Sequence, residues 1–306
     1  MTLEELLKRY REKPFLFVKP GGNWGDDLIY LGAEHLAEEL GVVFRTISAE
    51  EFIGSSIADE VIYLHGGGGY NPWCTGRAYK CFEHAVSNSK GVVIQGPCTV
   101  SVDMVFLQRI FKECLQNVSC HSIFFFAREK TSFGILSEIE EIKAHTQLYL
   151  DKDTAFYTNK SKLIKKIGYS DDKYTLHGYR IDNESSNVKS KNDLTKLFID
   201  PAEEAISFDH WLRIHSNAKK IITNRTHSSI LGFLLGKETY LFGSKYHKNK
   251  SIFEHSMQGG SVVWLDDDQA TELSSPSLLA KALPNSLRNS YRLKKALQIL
   301  RGVPDR

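Results

Sequence analysis

Short apolar runs alternate with longer segments of helical periodicity along this chain, and this alternation restricts its fold more than any other feature. In the first half, runs rich in β-branched and aromatic residues predict strands at 15–19, 42–46, 61–65, 91–95, 122–127 and 147–150. Helical patterns separate them, as in the spacing of Ala33, Leu36, Ala37 and Leu40 and in the segments near 74–88, 102–117 and 131–144. This order is typical of a parallel sheet covered by helices on both faces.

The second half repeats the alternation after a polar, lysine-rich stretch at 158–173, which predicts a linker. The second block begins at 174–180, with strands predicted at 197–200, 220–223 and 238–242 and helices around 203–218 and 226–236. We also predict an exposed loop at 182–196 and a helix over the last twenty residues. We therefore expect an α/β fold with two Rossmann-like domains facing a cleft, formed by residues 1–165 and 166–306.

Charge and cysteine content narrow the classes of function. Lys and Arg number 39 and Asp and Glu 37, so the net charge of +2 lacks the basic excess typical of nucleic-acid binding proteins. The five cysteines form no C-x-x-C pair, and His and Cys do not fall at zinc spacings, so we expect reduced thiols, a cytoplasmic location and no metal. We see no signal peptide and no apolar run near the ~20 residues that span a bilayer.

A glycine-rich segment follows the first predicted strand, at the position where open α/β sheets bind ligands. It contains Gly22, Asn23, Gly25 and Asp26. Two interpretations remain open. The start of the following helix can bind an anion, or the segment is a plain strand-to-helix turn with Asp26 as the N-cap.

A run of four glycines, residues 66–69, follows the third predicted strand. Its spacing fits neither a phosphate-binding P-loop nor a dinucleotide fingerprint. Successive glycines cost backbone entropy, so we interpret Gly67 and Gly68 as contacts to a ligand or to a closely approaching backbone rather than as part of a flexible loop.

Cationic side chains also follow predicted strands. Arg128 ends the strand at 122–127, where it can bind a carboxylate or phosphate or pair with Glu129 or Glu138. Arg225 follows another strand, and Lys248 lies in a basic segment after the next one. We predict that Arg128, Arg225 and Lys248 converge in one pocket that binds a small, strongly anionic ligand.

His227 and two aspartates are the candidates for proton transfer. His227 lies in the first turn of a predicted helix and can carry a proton near neutral pH. Because Arg225 and the helix N-terminus both disfavour the imidazolium, we expect a bound anion to favour its protonation. Asp151 and Asp153 end the sixth strand and suit a base, a sugar-hydroxyl acceptor or a helix N-cap, and Asp151 is our second catalytic candidate.

These segments, in this order, resemble the polysaccharide pyruvyl transferase family over nearly the whole chain. Thr226 is a departure, because the family more often has Leu between the Arg and the His. The resemblance implies a two-domain, glycosyltransferase-B-type protein that transfers a pyruvyl group from phosphoenolpyruvate to two hydroxyls of one sugar, giving a cyclic ketal and free phosphate. The matching segments are 22–29, 66–69, 95–97, 128–132, 151–156, 178–184, 218–223, 225–227 and 246–249.

The resemblance also implies roles for the candidate residues. His227 would protonate the enol methylene. Arg128 and Arg225 would hold the phosphate and carboxylate, and Lys248 would assist the leaving phosphate. The donor-binding set is completed by Ser132 and Asn249. The rings of Trp24, Tyr70, Trp73 and Trp211 can stack on a sugar or pack in a core, and of these Tyr70 and Trp24 are the acceptor-binding candidates.

The expected partners are phosphoenolpyruvate as co-substrate and a glycan or lipid-linked sugar as acceptor, with no nucleic acid and no cofactor. The N-terminal domain is expected to bind the acceptor and the C-terminal domain the donor. Association with the inner face of the membrane and the oligomeric state are left open. Two alternatives remain, a nucleotide-sugar-dependent glycosyltransferase of the same fold and a non-catalytic sugar-binding protein.

Overall fold

The computed structural model describes residues 1–168, 170–180 and 196–266. In the first half, strands and helices alternate as the sequence predicts. The elements are α1 (Leu3–Tyr10), β1 (Phe15–Lys19), α2 (Trp24–Glu39), β2 (Phe44–Ser48), α3 (Ala49–Ile53), β3 (Val61–Leu64), β4 (Gly67–Tyr70), α4 (Arg77–Asn88), β5 (Val92–Val100), α5 (Met104–Cys114), β6 (Ser122–Ala127), α6 (Lys130–Ser137), α7 (Glu140–His145) and β7 (Gln147–Leu150).

These strands form one parallel sheet with the order β2-β1-β3-β5-β6-β7, and β4 pairs with the C-terminal part of β5. Helices α1 and α2 pack on one face of the sheet and α3 to α7 on the other, so β3 and β5 are buried throughout. Burial on both faces explains why these strands read as continuous apolar runs rather than as alternating patterns.

The second half forms a separate parallel sheet with the order β12-β11-β10-β8-β9. A core that includes Trp211, Ile221 and Ile230 joins this sheet to its helices. The elements are a 3-10 helix (Thr154–Tyr157), α8 (Lys160–Ile167), β8 (Tyr174–Gly178), β9 (Lys196–Ile199), α9 (Pro201–Glu204), α10 (Phe208–Ser216), β10 (Ala218–Thr223), α11 (Thr226–Leu235), β11 (Glu238–Phe242), α12 (Lys248–Ser256) and β12 (Val262–Leu265).

Residues 160–167 of the predicted linker at 158–173 form a helix, α8, which corrects the sequence interpretation for this part of it. The side chain of Asn159 caps α8, and Leu163 and Ile167, one helical turn apart, pack into the core of the second sheet. The lysines that suggested a linker lie on the exposed part of this short amphipathic helix. The helix therefore packs with the second sheet instead of tethering it.

Three other boundaries differ from prediction. β5 continues through Gly96 and Pro97 to Val100, although we expected those residues to end it. The helix predicted at 131–144 is interrupted between α6 and α7, and the one at 203–218 between α9 and α10. The loop predicted at 182–196 lies outside the described residues except for its last residue, and the predicted C-terminal helix lies wholly outside them.

The structure thus confirms the α/β class, with parallel strands in two sheets. Helix α2 borders both halves, because its Leu28 packs into the core of the second sheet while Ala33 and Leu36 pack under the first. The division into domains at residue 165 stays a prediction. No helix within the described ranges is long and apolar enough to cross a membrane.

Candidate active site

A pocket of about 300 Å³ is lined by residues that follow strands of both sheets. Arg128 follows β6, Arg225 follows β10 and Lys248 begins α12 after β11, and all three line this pocket. The predicted convergence of these cations is therefore seen in the structure. Within each sheet the parallel strands place their carboxyl ends at one edge, and residues from these edges of both sheets line the same pocket. That the three residues bind a donor substrate stays a prediction.

Arg128 is held by two buried partners. Its Nη1 donates to Asp153 Oδ2 at 2.7 Å and its Nε donates to Thr99 Oγ1 at 2.8 Å. The ion-pair partner is thus Asp153 rather than Glu129 or Glu138. Burial alone would lower the pKa of Arg128, but the Asp153 carboxylate outweighs burial and the pKa is raised. The guanidinium is fixed in the charged form.

Asp153 also faces His227, at 3.5 Å between Oδ2 and Nε2. Burial alone would raise the pKa of Asp153, but Arg128 and His227 outweigh it and the pKa lies below its usual range. His227 lies in the first turn of α11, as predicted. Asp153 is a neighbour of His227 that the prediction from the sequence did not include.

Asp151 does not lie in this pocket. Its carboxylate accepts hydrogen bonds from the backbone N–H of Leu3 at 2.6 Å and from the hydroxyl of Tyr157 at 3.0 Å. It therefore ties α1 to the end of β7, and Asp153, two residues further on, is the carboxylate beside His227. Both aspartates end the same strand, so sequence position alone could not separate them.

Arg225 is paired with Asp200, which caps α9, and its backbone N–H donates to Thr223 Oγ1 at 2.9 Å. A further cation missed as a site residue, Arg180, is buried, lines the same pocket and follows β8. Its backbone N–H donates to Asn224 Oδ1 at 2.8 Å, beside Arg225. Its position after a strand was the signal that could have identified it.

Ser132 and Asn249 hold backbone segments in place. Ser132 Oγ accepts from the N–H of Val100 at 3.0 Å. Asn249 Nδ2 donates to the carbonyls of Asn224 and Phe242 at 2.7 and 3.0 Å. Neither residue is among those that line the pocket. The structure thus places both beside the cations as supports, and their predicted donor contacts stay predictions.

The first glycine-rich segment is a capped helix start that also makes room for His227. Asn23, rather than Asp26, is the N-cap, and Asp26 completes a capping box by accepting from the N–H of Asn23 at 2.9 Å. A Cβ at Gly22 would collide with Asp26. A Cβ at Gly25 would stand 2.6 Å from His227 Nδ1, so only glycine lets the ring pack there.

The second segment is not a loop, because Gly67–Tyr70 forms β4. A Cβ at Gly66 would collide with the carbonyl of Pro97, and Gly67 has a φ of +133°, a conformation that favours glycine. Gly68 differs, since a Cβ there would have ordinary contacts of 3.8 Å to Arg128 Nη2 and Tyr246 Oη. Gly66 therefore packs against another backbone segment, and Gly68 borders the pocket.

The two acceptor candidates are engaged elsewhere. Tyr70 borders the pocket but is only 1% exposed, its hydroxyl donates to Gln95 Oε1 at 2.7 Å and its ring stacks on Phe111. Trp24 Nε1 donates to the carbonyl of Ala205 at 2.9 Å. Neither ring is presented to the pocket as a platform, and their acceptor role stays a prediction.

Contacts between the two halves bring Lys248 to the pocket. Glu129 Oε1 lies 3.4 Å from His247 Nε2, and Thr131 and Ser251 hydroxyls are 2.7 Å apart. Burial alone would raise the pKa of Glu129, but hydrogen bonds from His247 and other neighbours lower it to about 2. The start of α12 is therefore held against α6.

No group of three or more His, Cys, Asp or Glu residues in the described part of the chain is arranged to hold a metal ion. The expectation of no metal and no cofactor stays a prediction.

Comparisons with known proteins decide the family. The family model described as polysaccharide pyruvyl transferase matches residues 23–246. The chain belongs to this family. No curated protein matches it. A crystal structure of a functionally uncharacterised protein from Klebsiella pneumoniae is similar with a TM-score of 0.63 and 18% identity, covering 86% of this chain and 96% of the other.

The family assignment confirms the resemblance read from the sequence, and it supports pyruvyl transfer as the general activity. The matched region includes Arg128, Asp153, Arg225 and His227, while Lys248 lies two residues beyond it. The Klebsiella protein, at its low identity, shares the fold and adds no information on the substrate.

Proposed function

We propose that this polysaccharide pyruvyl transferase family member transfers the pyruvyl group of phosphoenolpyruvate to two hydroxyls of one sugar of a polysaccharide or its precursor. The observation that carries the proposal is the meeting of Arg128, Arg225 and Lys248 with His227 in one pocket. Phosphoenolpyruvate carries a phosphate and a carboxylate, and charge-assisted hydrogen bonds from Arg are suited to both.

Protonation of phosphoenolpyruvate is the first step of the proposed reaction. His227, held beside Asp153, donates it to the methylene carbon of phosphoenolpyruvate, which becomes a methyl group and leaves the neighbouring carbon electrophilic. The oxygen of one sugar hydroxyl bonds to that carbon and its proton returns to His227. The oxygen of the second hydroxyl then displaces phosphate, which leaves with the second proton, so atoms and charges balance.

The pocket residues divide this work. Asp153 keeps its charge and stabilises the imidazolium form of His227 and the guanidinium of Arg128. Arg225, with Arg180 beside it, and Lys248 are suited to the developing charge on the leaving phosphate. We assign the carboxylate role to Asp153 in preference to Asp151, as a positioning residue that acts through His227 and Arg128.

The position of the pocket also supports a proposal for the roles of the two halves. Because residues from both sheets line the pocket, we propose a glycosyltransferase-B-like arrangement in which the first half binds the acceptor and the second half the donor. We propose a cytoplasmic enzyme acting on a glycan or lipid-linked sugar, without metal or cofactor beyond the co-substrate.

Calorimetric titration with phosphoenolpyruvate and, separately, with uridine diphosphate tests the proposal against a nucleotide-sugar reaction. We expect binding of phosphoenolpyruvate only, weakened by about tenfold or more in Arg225→Gln, since a charge-assisted hydrogen bond contributes ~1.5–3 kcal/mol. Arg109→Gln, on the exposed part of α5, is the control. Circular dichroism checks folding, because Asp200 loses its partner. Preferential binding of the nucleotide would refute the donor assignment.

His227→Gln tests the proton donor. Turnover should fall by about 10²–10⁴-fold, the usual contribution of general acid–base catalysis, with affinity for phosphoenolpyruvate retained. Near-normal phosphate release with an unchanged pH profile would show that another group supplies the proton.

A further inference from the structure

A large aromatic side chain stands half exposed at the mouth of the pocket. Trp73 is 46% exposed and lines the pocket. The other large apolar side chains that are exposed in the described ranges, such as Val105 and Ile206, lie away from it. This exposed aromatic surface borders the pocket, and it is therefore a candidate for contact with a ligand.

The chain presents this side chain through a built turn. The backbone N–H of Cys74 donates to the carbonyl of Asn71 at 3.0 Å, which closes a turn with Trp73 inside it. The carbonyl of Gly68 accepts from the side chains on both sides, Asn71 Nδ2 at 2.8 Å and Cys74 Sγ at 3.5 Å. Asn71 is buried. The turn is thus anchored on β4, and the indole is positioned rather than loose.

The indole of Trp73 contacts Tyr246, which in turn lies close to Lys248. Its ring contacts that of Tyr246 edge-to-face, with 5.3 Å between centroids. Lys248 Nζ lies 5.2 Å from the centre of the same Tyr246 ring. Between Tyr246 Oη and Arg128 Nη2 lies Gly68, which has no side chain to fill the gap. Trp73 and Lys248 thus flank one Tyr246 ring, and both line the pocket that Arg128 also lines.

We propose that Trp73 is the acceptor platform, on which a pyranose ring of the glycan stacks with its C–H-rich face while its hydroxyls point toward the anion site. This inference rests on the proposed function and names its acceptor subsite. A pyranose fits because C–H bonds on one side of the ring pack on an indole, and the hydroxyls on the other side remain free for reaction. Trp73, in place of Tyr70 and Trp24, determines acceptor specificity.

Saturation-transfer NMR with methyl β-galactopyranoside, methyl β-glucopyranoside and methyl α-mannopyranoside tests binding without requiring turnover. We expect at least one of these sugars to bind the wild-type chain, Trp73→Ala to weaken that binding by about tenfold, and Trp73→Phe to restore most of it. Val105→Ala is the control for loss of an exposed apolar side chain. Calorimetry with phosphoenolpyruvate should give the same affinity in all four proteins.

The outcomes separate this inference from the function on which it rests. Wild-type binding of sugar that survives in Trp73→Ala, or no wild-type binding of any of the three sugars, would overturn the platform. Loss of phosphoenolpyruvate affinity in Trp73→Ala would assign Trp73 to the donor instead and equally overturn it. Sugar binding that depends on Trp73 in a chain that does not bind phosphoenolpyruvate would support the platform and refute the proposed reaction.

Discussion

Replacing Asp153 by Asn removes one buried negative charge from beside Arg128 and His227 and leaves the local shape unchanged. The amide oxygen can still accept from the N–H of Ala155, which Asp153 Oδ1 does at 2.9 Å. What is lost is the charge that faces Arg128 Nη1 at 2.7 Å and His227 Nε2 at 3.5 Å. Arg128 is almost wholly buried, so it cannot be rehydrated in place.

The expected loss of stability follows from that burial. Removing one partner of a buried ion pair costs about 3–5 kcal/mol, because the other charge stays uncompensated. The whole free energy of unfolding of a domain is typically about 5–15 kcal/mol, so Asp153→Asn should fold but be markedly less stable. Asp151→Asn is the matched control. Asp151 accepts from neutral donors on Leu3 and Tyr157, so its loss should be about 1–3 kcal/mol.

Urea denaturation as a function of pH supplies the measurement. The pKa of Asp153 is depressed in the folded protein, so its contribution is complete above the unfolded pKa of about 3.9 and is lost as pH falls through the lower folded value. The stability gap between wild type and Asp153→Asn should narrow as the pH falls below about 4. Combining Asp153→Asn with Arg128→Met should show a coupling of about 2–3 kcal/mol. Additive losses, or a gap no larger than that of Asp151→Asn, would refute the reasoning.

Three further outcomes are expected. Gly66→Ala should abolish the folded state, because its Cβ collides with backbone. Gly68→Ala should melt within about 3 °C of wild type and lower turnover. Equal melting temperatures of the two variants would contradict this. Gly25→Ala should lower kcat with affinity for phosphoenolpyruvate retained, because its Cβ would stand 2.6 Å from His227 Nδ1, and an unchanged rate of phosphate release would contradict it. Lys248→Met should weaken phosphoenolpyruvate binding in calorimetry by about tenfold at low salt and by less at high salt, and an unchanged affinity would count against its donor role.

Most of the fold could be predicted because apolar periodicity reports burial directly. Six strands of the first sheet appear near their predicted positions, β4 was not predicted, and His227 lies in the first helical turn as expected. α8 was missed because its two buried residues, Leu163 and Ile167, are few among the lysines around them. The extension of β5 past Pro97 was missed because strand pairing with β4 and β6 is a long-range property.

The site was predicted in part for a similar reason. Position after a strand locates Arg128, Arg225 and Lys248, because topology alone brings strand ends together. Position does not say which way a side chain points, so Asp151 was preferred to Asp153. Contacts in the folded protein decide which aspartate lies beside His227. They also decide which aromatic side chains are exposed, because no pattern in the sequence reports this.

Two parts of the pocket differ in how well they tolerate substitution, and the first is the contact between the backbones of Gly66 and Pro97. At this contact the two main chains pack too closely to admit a methyl group. A substitution there therefore disrupts the fold before it changes the binding of a ligand. The turn that carries Trp73 is half in solvent and tolerates other side chains without disturbing the core. We therefore expect changes of acceptor to arise at the exposed residues Pro72, Trp73 and Thr75, and libraries for a new acceptor are best concentrated there.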